Sequence, residues 1–325
     1  MLIDILMFLG GLVALYFGAE WLVAGASSLA IRFGIAPLIV GLTVVAFGTS
    51  APELLVSLLA VKDGADGVSV GNIIGSNVAN IALILGCSSL VAPISINKSA
   101  LMREYPIMLA SGVLLVVLAH DMTLSRLDGV ILSGCMVAFL VYSFIRGRKL
   151  SELGVEVEVG DEIADPSESN TLKDMGFLVV GIVGLALGAW LLVESAVSMA
   201  KSFNVPDLVI GITIVAIGTS LPELATSVVA AYRGESDISV GNVIGSNIFN
   251  VFLVLGVVAM VMPITVSPLA VKVDLWVMLG VCIVIWPLMR FGLKISRVDG
   301  VFLLIGYVVY MVYLFMRDAS GGVAL

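Results

Sequence analysis

Two stretches of this chain place a carboxylate inside otherwise apolar surroundings. Residues 46–57 read Ala-Phe-Gly-Thr-Ser-Ala-Pro-Glu-Leu-Leu-Val-Ser, and residues 216–227 read Ala-Ile-Gly-Thr-Ser-Leu-Pro-Glu-Leu-Ala-Thr-Ser, so that Glu223 follows Glu53 by 170 positions. A carboxylate at bilayer depth costs roughly 2.5 kcal/mol or more even on the mildest insertion scales, which marks a matched pair as a functional site by default. On a helix, Ala46, Thr49, Ser50, Glu53 and Ser57 recur at spacings of three and four and share one face. Asn72, Ser76 and Asn80 form a second row at spacings of four, and Asn242, Ser246 and Asn250 repeat it. Four oxygen-rich faces could surround one cavity. Hard oxygen ligands suit sodium and calcium, and calcium takes about six to eight of them.

Pro52 and Pro222 add backbone ligands. A proline inside a helix has no N–H for the carbonyl four residues back, so carbonyls around Ala46 to Gly48 and Ala216 to Gly218 lose their usual partners. Such backbone is tolerated at membrane depth only where it is buried in protein or lines a cavity. Plainer readings stand beside these. A Ser or Thr hydroxyl in a membrane helix can bond back to its own helix, and Glu53 and Glu223 could be neutral, protonated acids. The Gly71/Gly75 and Gly241/Gly245 pairs are explained better by close helix packing than by ligation. Glu20 and Glu194 do not correspond under the 170-residue offset and read as interfacial side chains reaching water. His120, beside Asp121 at a turn, reads as solvated. No nucleophile elbow, His-Glu-x-x-His or Walker sequence is present, which leaves an enzyme or an ATP-driven pump without support.

These residues need a membrane scaffold. The chain has 325 residues, 60% hydrophobic and 12% charged, with a mean hydropathy of +1.16, and so reads as an all-α polytopic membrane protein. Segments of about 20 apolar residues give ten transmembrane helices near 3–28, 37–61, 69–93, 104–119, 128–146, 175–200, 207–231, 239–262, 272–290 and 299–316. The fourth is the shortest. The first lacks the positive flank of a secretory signal and is kept as a membrane helix. Cys87, Cys135 and Cys282 lie far apart in apolar segments, which argues against a disulfide framework. No basic nucleic-acid patch appears, and the lipid bilayer is the one partner implied.

Residues 41–86 align without a gap on 211–256, with 25 of 46 positions identical. The correspondence continues through Pro93 with Pro263 and Glu104 with Asp274, and through 125–129 with 296–300 at offset 171. Each half then holds five crossings, an odd number, so the second half enters the membrane from the opposite side. Two inverted five-helix repeats follow, at 1–146 and 174–325, joined by an acidic linker at 147–173. This is the recurring plan of secondary transporters, whose substrate site lies between the repeats.

Lys and Arg set the expected orientation. The termini and even-numbered connections carry five (Lys62, Arg126, Lys201, Lys272 and Arg317), and the odd-numbered connections carry the other eleven. The positive-inside rule then puts both termini outside and the central loop in the cytoplasm of a cell membrane, plasma or inner. The linker's acids, Glu152, Glu156, Glu158, Asp161, Glu162, Asp165 and Glu168, suit a solvated tether; a regulatory cation site is the sharper alternative.

With those motifs in view, the chain resembles the sodium/calcium exchangers of the calcium/cation antiporter superfamily. The match rests on Gly-Leu-Thr-x-x-Ala-x-Gly-Thr-Ser-x-Pro-Glu at 41–53, Gly-Asn-Ile-Ile-Gly-Ser-Asn-x-x-Asn at 71–80, and their copies at 211–223 and 241–250. These are similar to the family's two α-repeats. The resemblance implies cation sites at Ala46, Thr49, Ser50, Glu53, Ser76 and Asn80, and at Ala216, Thr219, Ser220, Glu223, Ser246 and Asn250, with transported Ca2+ and Na+ and no cofactor. Some members carry aspartate where this chain has Asn250, and in potassium-dependent relatives that acid is tied to potassium; Asn250 leans against potassium dependence. The proton-coupled relatives usually carry Gly-Asn-x-x-Glu, where this chain has Gly75 and Gly245.

The expectation is thus a secondary active sodium/calcium antiporter working by alternating access, with no obligatory protein partner evident. A proton- or potassium-coupled calcium antiporter is the alternative. A gated cation channel built from acids and hydroxyls is a further one.

Overall fold

The computed structural model describes residues 2–152, 171–203 and 216–319. Its helical segments are α1 (Leu2–Phe33), α2 (Pro37–Thr49 and Ala51–Lys62, bent by 41°), α3 (Asp66–Val91), α4 (Ala100–Asp121), α5 (Arg126–Glu152), α6 (Thr171–Ser202), α7 (Ala216–Gly218 and Leu221–Tyr232), α8 (Ser236–Val261), α9 (Ala270–Arg290) and α10 (Arg297–Ala319), of which all but the described part of α7 are long and apolar enough to cross a membrane. Residues 207–215 of the expected seventh helix and 153–170 of the expected linker lie outside the described residues. Helix α5 itself runs on through 147–152, and α6 begins at Thr171.

The inversion is visible in which ends meet. Strand β1 (Ile94–Ser95), between α3 and α4, pairs with β4 (Lys294–Ile295), between α9 and α10. Strand β2 (Thr123–Leu124), between α4 and α5, pairs with β3 (Ile264–Thr265), between α8 and α9. β1 corresponds to β3 in the repeat, and β2 to β4, so each pairing joins non-equivalent connections, as two halves running in opposite directions require. Side-chain ties repeat the pattern: Asp66 Oδ2 accepts from the Thr265 N–H at 2.8 Å, and Ser236 Oγ from the Ser95 N–H at 3.2 Å.

Helices α1 and α6 show the same reversal. Gly11, Gly18 and Gly25, seven apart, face the α6 backbone at Gly188, at Gly181 to Leu185, and at Asp174 to Leu178 in turn, so the pair runs antiparallel. A Cβ on Gly18 would sit 2.7 Å from the Leu185 nitrogen, so only glycine permits this approach.

Helix α4, expected to be about 16 residues, spans 22. Arg103 and Glu104 read as end signals in sequence, but Glu104 is buried and forms an ion pair with Arg146 of α5. The pair recurs: Asp274 and Arg317, at the equivalent positions, meet at 2.5 Å. Each acid sits in a π-helical turn, Ala100–Glu104 or Ala270–Asp274, and clamps two neighbouring helices where a lone buried charge would be costly. Glu194 is exposed, whereas Glu20, read as reaching water, is paired with Arg233 at the α7–α8 turn.

The two glycine pairs differ. A Cβ on Gly245 would meet the Leu42 carbonyl and the Ala46 side chain, both at 2.7 Å, and one on Gly241 would meet the Leu38 carbonyl at 2.7 Å. Among the described residues Gly71 and Gly75 have no such neighbour within 4 Å, and with Asp274, Tyr310 and Arg317 they line a cavity of about 260 Å³. Close packing therefore accounts for Gly241 and Gly245. Gly245→Ala is expected to cost about 1–3 kcal/mol through overpacking; an unchanged midpoint of thermal unfolding in detergent would contradict this.

Candidate cation site

Glu53 and Glu223 sit just past matched helix breaks. Ser50 (φ −85°, ψ 4°) separates the two halves of α2, and Ser220 (φ −87°, ψ 5°) does the same in α7. Ser-x-x-acid is the spacing of a capping box, in which the serine and the acid bond each other's backbone N–H. The chain closes that box elsewhere: Asp128 accepts from the Ser125 N–H at 2.8 Å and gives its own N–H to Ser125 Oγ, and Ser296 and Asp299 do likewise. At 50–53 and 220–223 the box stays open, with no side-chain cap bond at either start. Ser50 Oγ instead donates to Glu223 Oε1 across the repeat interface at 3.2 Å, and Ser220 Oγ lies 3.4 Å from Ser76 Oγ. Both acids lie in the first turn of their helices, where the dipole favours negative charge.

The residues around them form a two-fold network. Thr49 donates to Asn242 Oδ1 at 3.1 Å, and Thr219 to Asn72 Oδ1 at 3.2 Å. Asn242 donates to Ser227 at 2.9 Å, and Asn72 to Ser57 at 3.2 Å. Asn80 donates to Asn247 Oδ1 at 2.9 Å, and Asn250 to Asn77 Oδ1 at 3.0 Å. Thr49 also lies 3.4 Å from Ser246. Contacts between the start of the π-helical segment Asn250–Leu255 and helix Ala51–Lys62, and between Asn80–Ile84 and Leu221–Tyr232, bring each asparagine turn against the opposite repeat's acid-bearing helix.

Among the carboxylates and amides of this network, what remains unsatisfied is all acceptor. Glu53 Oε1 and Oε2, Glu223 Oε2, Asn80 Oδ1 and Asn250 Oδ1 are buried with no hydrogen-bond donor. Among the described residues, no Lys or Arg pairs with either glutamate. Buried acceptors without donors are costly, and a desolvated cation is the partner that suits them together.

Of the expected site residues, Thr49 thus meets Ser246, Ser50 meets Glu223 and Ser76 meets Ser220 across the repeat interface, while Asn80, Asn250 and Thr219 bond to Asn247, Asn77 and Asn72 of the opposite repeat and Glu53 is buried without a donor. Ala46 is buried, but its carbonyl is not free: it accepts from the Ser50 N–H at 3.0 Å and from Thr49 Oγ1 at 3.3 Å. Pro52 withholds an N–H from Gly48 instead, so the freed backbone begins later than the sequence suggested. In the second repeat the Ser220 N–H turns to Ile217, at 3.0 Å, and Ala216 opens the short helix Ala216–Gly218. Asn77 and Asn247, which hold Asn250 and Asn80, were not expected to take part; their place inside the repeated Gly-Ser-Asn-x-x-Asn run was the available signal.

The comparisons with known proteins agree with this architecture. The family described as sodium/calcium exchanger protein matches residues 3–145 and 173–316. Over 97% of the chain and 99% of the relative, it is 38% identical to the putative antiporter CaxA of Alkalimonas amylolytica. It is 34% identical to the sodium/calcium exchanger MaX1 of Methanosarcina acetivorans, covering 96% of this chain and 99% of that one. A solved structure of the sodium-calcium exchanger NCX_Mj superposes with a TM-score of 0.83 at 32% identity, covering 96% of this chain and 99% of that chain. Fold and sequence together define a cation/Ca2+ antiporter of the secondary, membrane-embedded kind. The chain belongs to the sodium/calcium exchanger family.

The network itself is testable. Asn242→Leu removes partners from Thr49, Ser227 and the Glu223 carbonyl, which accepts from Asn242 at 3.3 Å, and is expected to destabilise by about 1–3 kcal/mol. Asn72→Leu, at the half-buried equivalent, should cost less. Thermal unfolding of both variants measures the difference, and a larger loss for Asn72→Leu would contradict the network as described.

Proposed function

We propose that the chain exchanges Na+ for Ca2+ at one pocket between its repeats, with Glu53 and Glu223 binding either one calcium or several sodium ions. The observation that carries this reading is that two buried carboxylates and two buried amide oxygens, carried on segments in contact across the repeat interface, have no donor. Coulomb repulsion at low effective dielectric disfavours simultaneous full occupancy by both ions, and that competition couples their fluxes. Thr49, Ser50, Ser76, Asn80, Thr219, Ser220, Ser246 and Asn250 supply the neutral oxygens, with backbone carbonyls near Ala46 and Ala216. Sodium coupling is supported by the named activity of MaX1 and by Gly75 and Gly245, where proton-coupled relatives usually place an acid.

On the orientation favoured by Lys and Arg, the β1–β4 side is cytoplasmic and both termini are outside a cell membrane. The Thr49–Asn242 layer is sealed, while Thr219 and Asn72 are half-buried; the pocket then faces outward. The antiparallel α1–α6 pair, which supplies none of these ligands, is the natural sliding element for alternating access.

Two experiments test this. Purified protein in sodium-loaded liposomes should take up calcium only while the outward sodium gradient lasts, with no requirement for potassium. Uptake that ignores collapse of that gradient would contradict antiport with sodium, and uptake driven by a pH gradient alone would assign proton coupling. Glu53→Gln and Glu223→Gln should each abolish exchange while the protein elutes as a folded species in detergent. Normal calcium transport by either variant would show that the glutamate is a structural acid.

A further inference from the structure

Asn80 and Asn250 each end in an amide with two unlike atoms, and a cation is attracted to only one of them. An amide turned the wrong way would present N–H groups to the ion. The direction of each amide is fixed by a relay of hydrogen bonds that ends on a methionine sulfur. Asn250 Nδ2 donates to Asn77 Oδ1 at 3.0 Å, and Asn77 Nδ2 in turn lies 3.6 Å from Met278 Sδ. In the other repeat, Asn80 Nδ2 donates to Asn247 Oδ1 at 2.9 Å, and Asn247 Nδ2 lies 3.5 Å from both Met108 Sδ and the Asn77 carbonyl.

All four asparagines and both methionines are buried, and Met108 and Met278 are themselves equivalent positions, 170 apart. A thioether accepts hydrogen bonds but has none to give. It therefore orients the first amide with nitrogen towards sulfur and oxygen away. That oxygen can only accept, so it orients the second amide with nitrogen towards it. The result is Oδ1 of Asn80 and of Asn250 left buried and without a donor. Reversing the first amide would set N–H against N–H and oxygen against sulfur, and reversing the second would set oxygen against oxygen.

We propose that Asn77 and Asn247 are positioning residues for ion selectivity, which hold Asn250 and Asn80 with only their oxygens available to the transported cation. Neither touches the ion. They act across the repeat interface, Asn77 of α3 on α8 and Asn247 of α8 on α3, so each half of the chain sets the ligand of the other. This rests on the reading of the pocket as a cation site, and it assigns the polarity of two of that site's ligands to residues outside it.

The test is a double-mutant cycle read in calcium uptake by sodium-loaded liposomes. Asn77→Leu leaves the Asn250 amide free to turn and should raise the KM for calcium about tenfold, the size of one lost polar contact, with the maximal rate changing less than about twofold. Asn250→Asp carries two oxygens, so its orientation no longer matters; in that background Asn77→Leu should change KM less than about twofold. The mirror cycle, Asn247→Leu with Asn80→Asp, should behave alike. An equal rise in both backgrounds would mean a packing effect and overturn the proposal, as would an unchanged KM in Asn77→Leu. Should Asn77→Leu not elute folded, Met278→Leu, close in volume, tests the same relay and should raise KM about two- to threefold; no rise would overturn it. Glu53→Gln serves as the control: if it transports normally, the cation-site reading itself falls, whereas an inactive Glu53→Gln beside an unaffected Asn77→Leu overturns only the positioning role.

Discussion

Two carboxylates buried in an apolar core without a cationic side chain are the constraint on which the rest depends. An isolated charge there costs several kcal/mol, and removing its partner from a buried pair costs about 3–5 kcal/mol. Other acids withdrawn from water are paired: buried Glu104 has Arg146, half-buried Asp274 has Arg317, and Arg32 lies 3.5 Å from buried Asp174. Among the described residues, Glu53 and Glu223 have no such counter-charge. The chain has the means to satisfy them locally, since closed Ser–Asp capping boxes occur at 125–128 and 296–299, yet leaves the same spacing open at 50–53 and 220–223. Their oxygens are thus left unsatisfied by the protein, which is the observation behind the proposed cation pocket.

The two-fold design explains how so few acids suffice. Several hydrogen bonds in one repeat have their counterpart in the other, from Thr49–Asn242 and Thr219–Asn72 to the crossed asparagine pairs. Symmetry breaks at the centre and along one flank. Glu223 receives Ser50, while neither oxygen of Glu53 has a donor. Gly241 and Gly245 press against α2, while Gly71 and Gly75 border a cavity. Inverted repeats are the plan on which secondary transporters build a site between two halves. The glycine seam packs the long helices α1 and α6 backbone to backbone.

Much of this was legible in the sequence because duplication is a strong signal. The offset of 170 fixed the number of repeats, and five crossings per half required inversion. The helix faces carrying Thr49, Glu53, Ser76 and Asn80 followed from period alone. What could not be read depended on charges whose partners are distant in sequence. Glu104 and Arg103 looked like a helix end because nothing local announced Arg146, 42 positions on. Glu20 looked interfacial because Arg233 is supplied by the other half. Pro52 correctly marked a break, but which carbonyls it frees depends on how Ser50 closes the preceding turn. Asn77 and Asn247 were visible as repeated letters, but their role rests on amide direction, which spacing does not encode.

The account's central claim is that sodium and calcium compete for one pocket. Equilibrium calcium binding to the purified protein, measured across a series of sodium concentrations, addresses it most directly. The predicted result is a calcium Kd that climbs without limit as sodium rises, with unchanged binding capacity and with binding lost in Glu53→Gln. Calcium binding indifferent to sodium, or a Kd that levels off at high sodium and so reports both ions bound together, would contradict it.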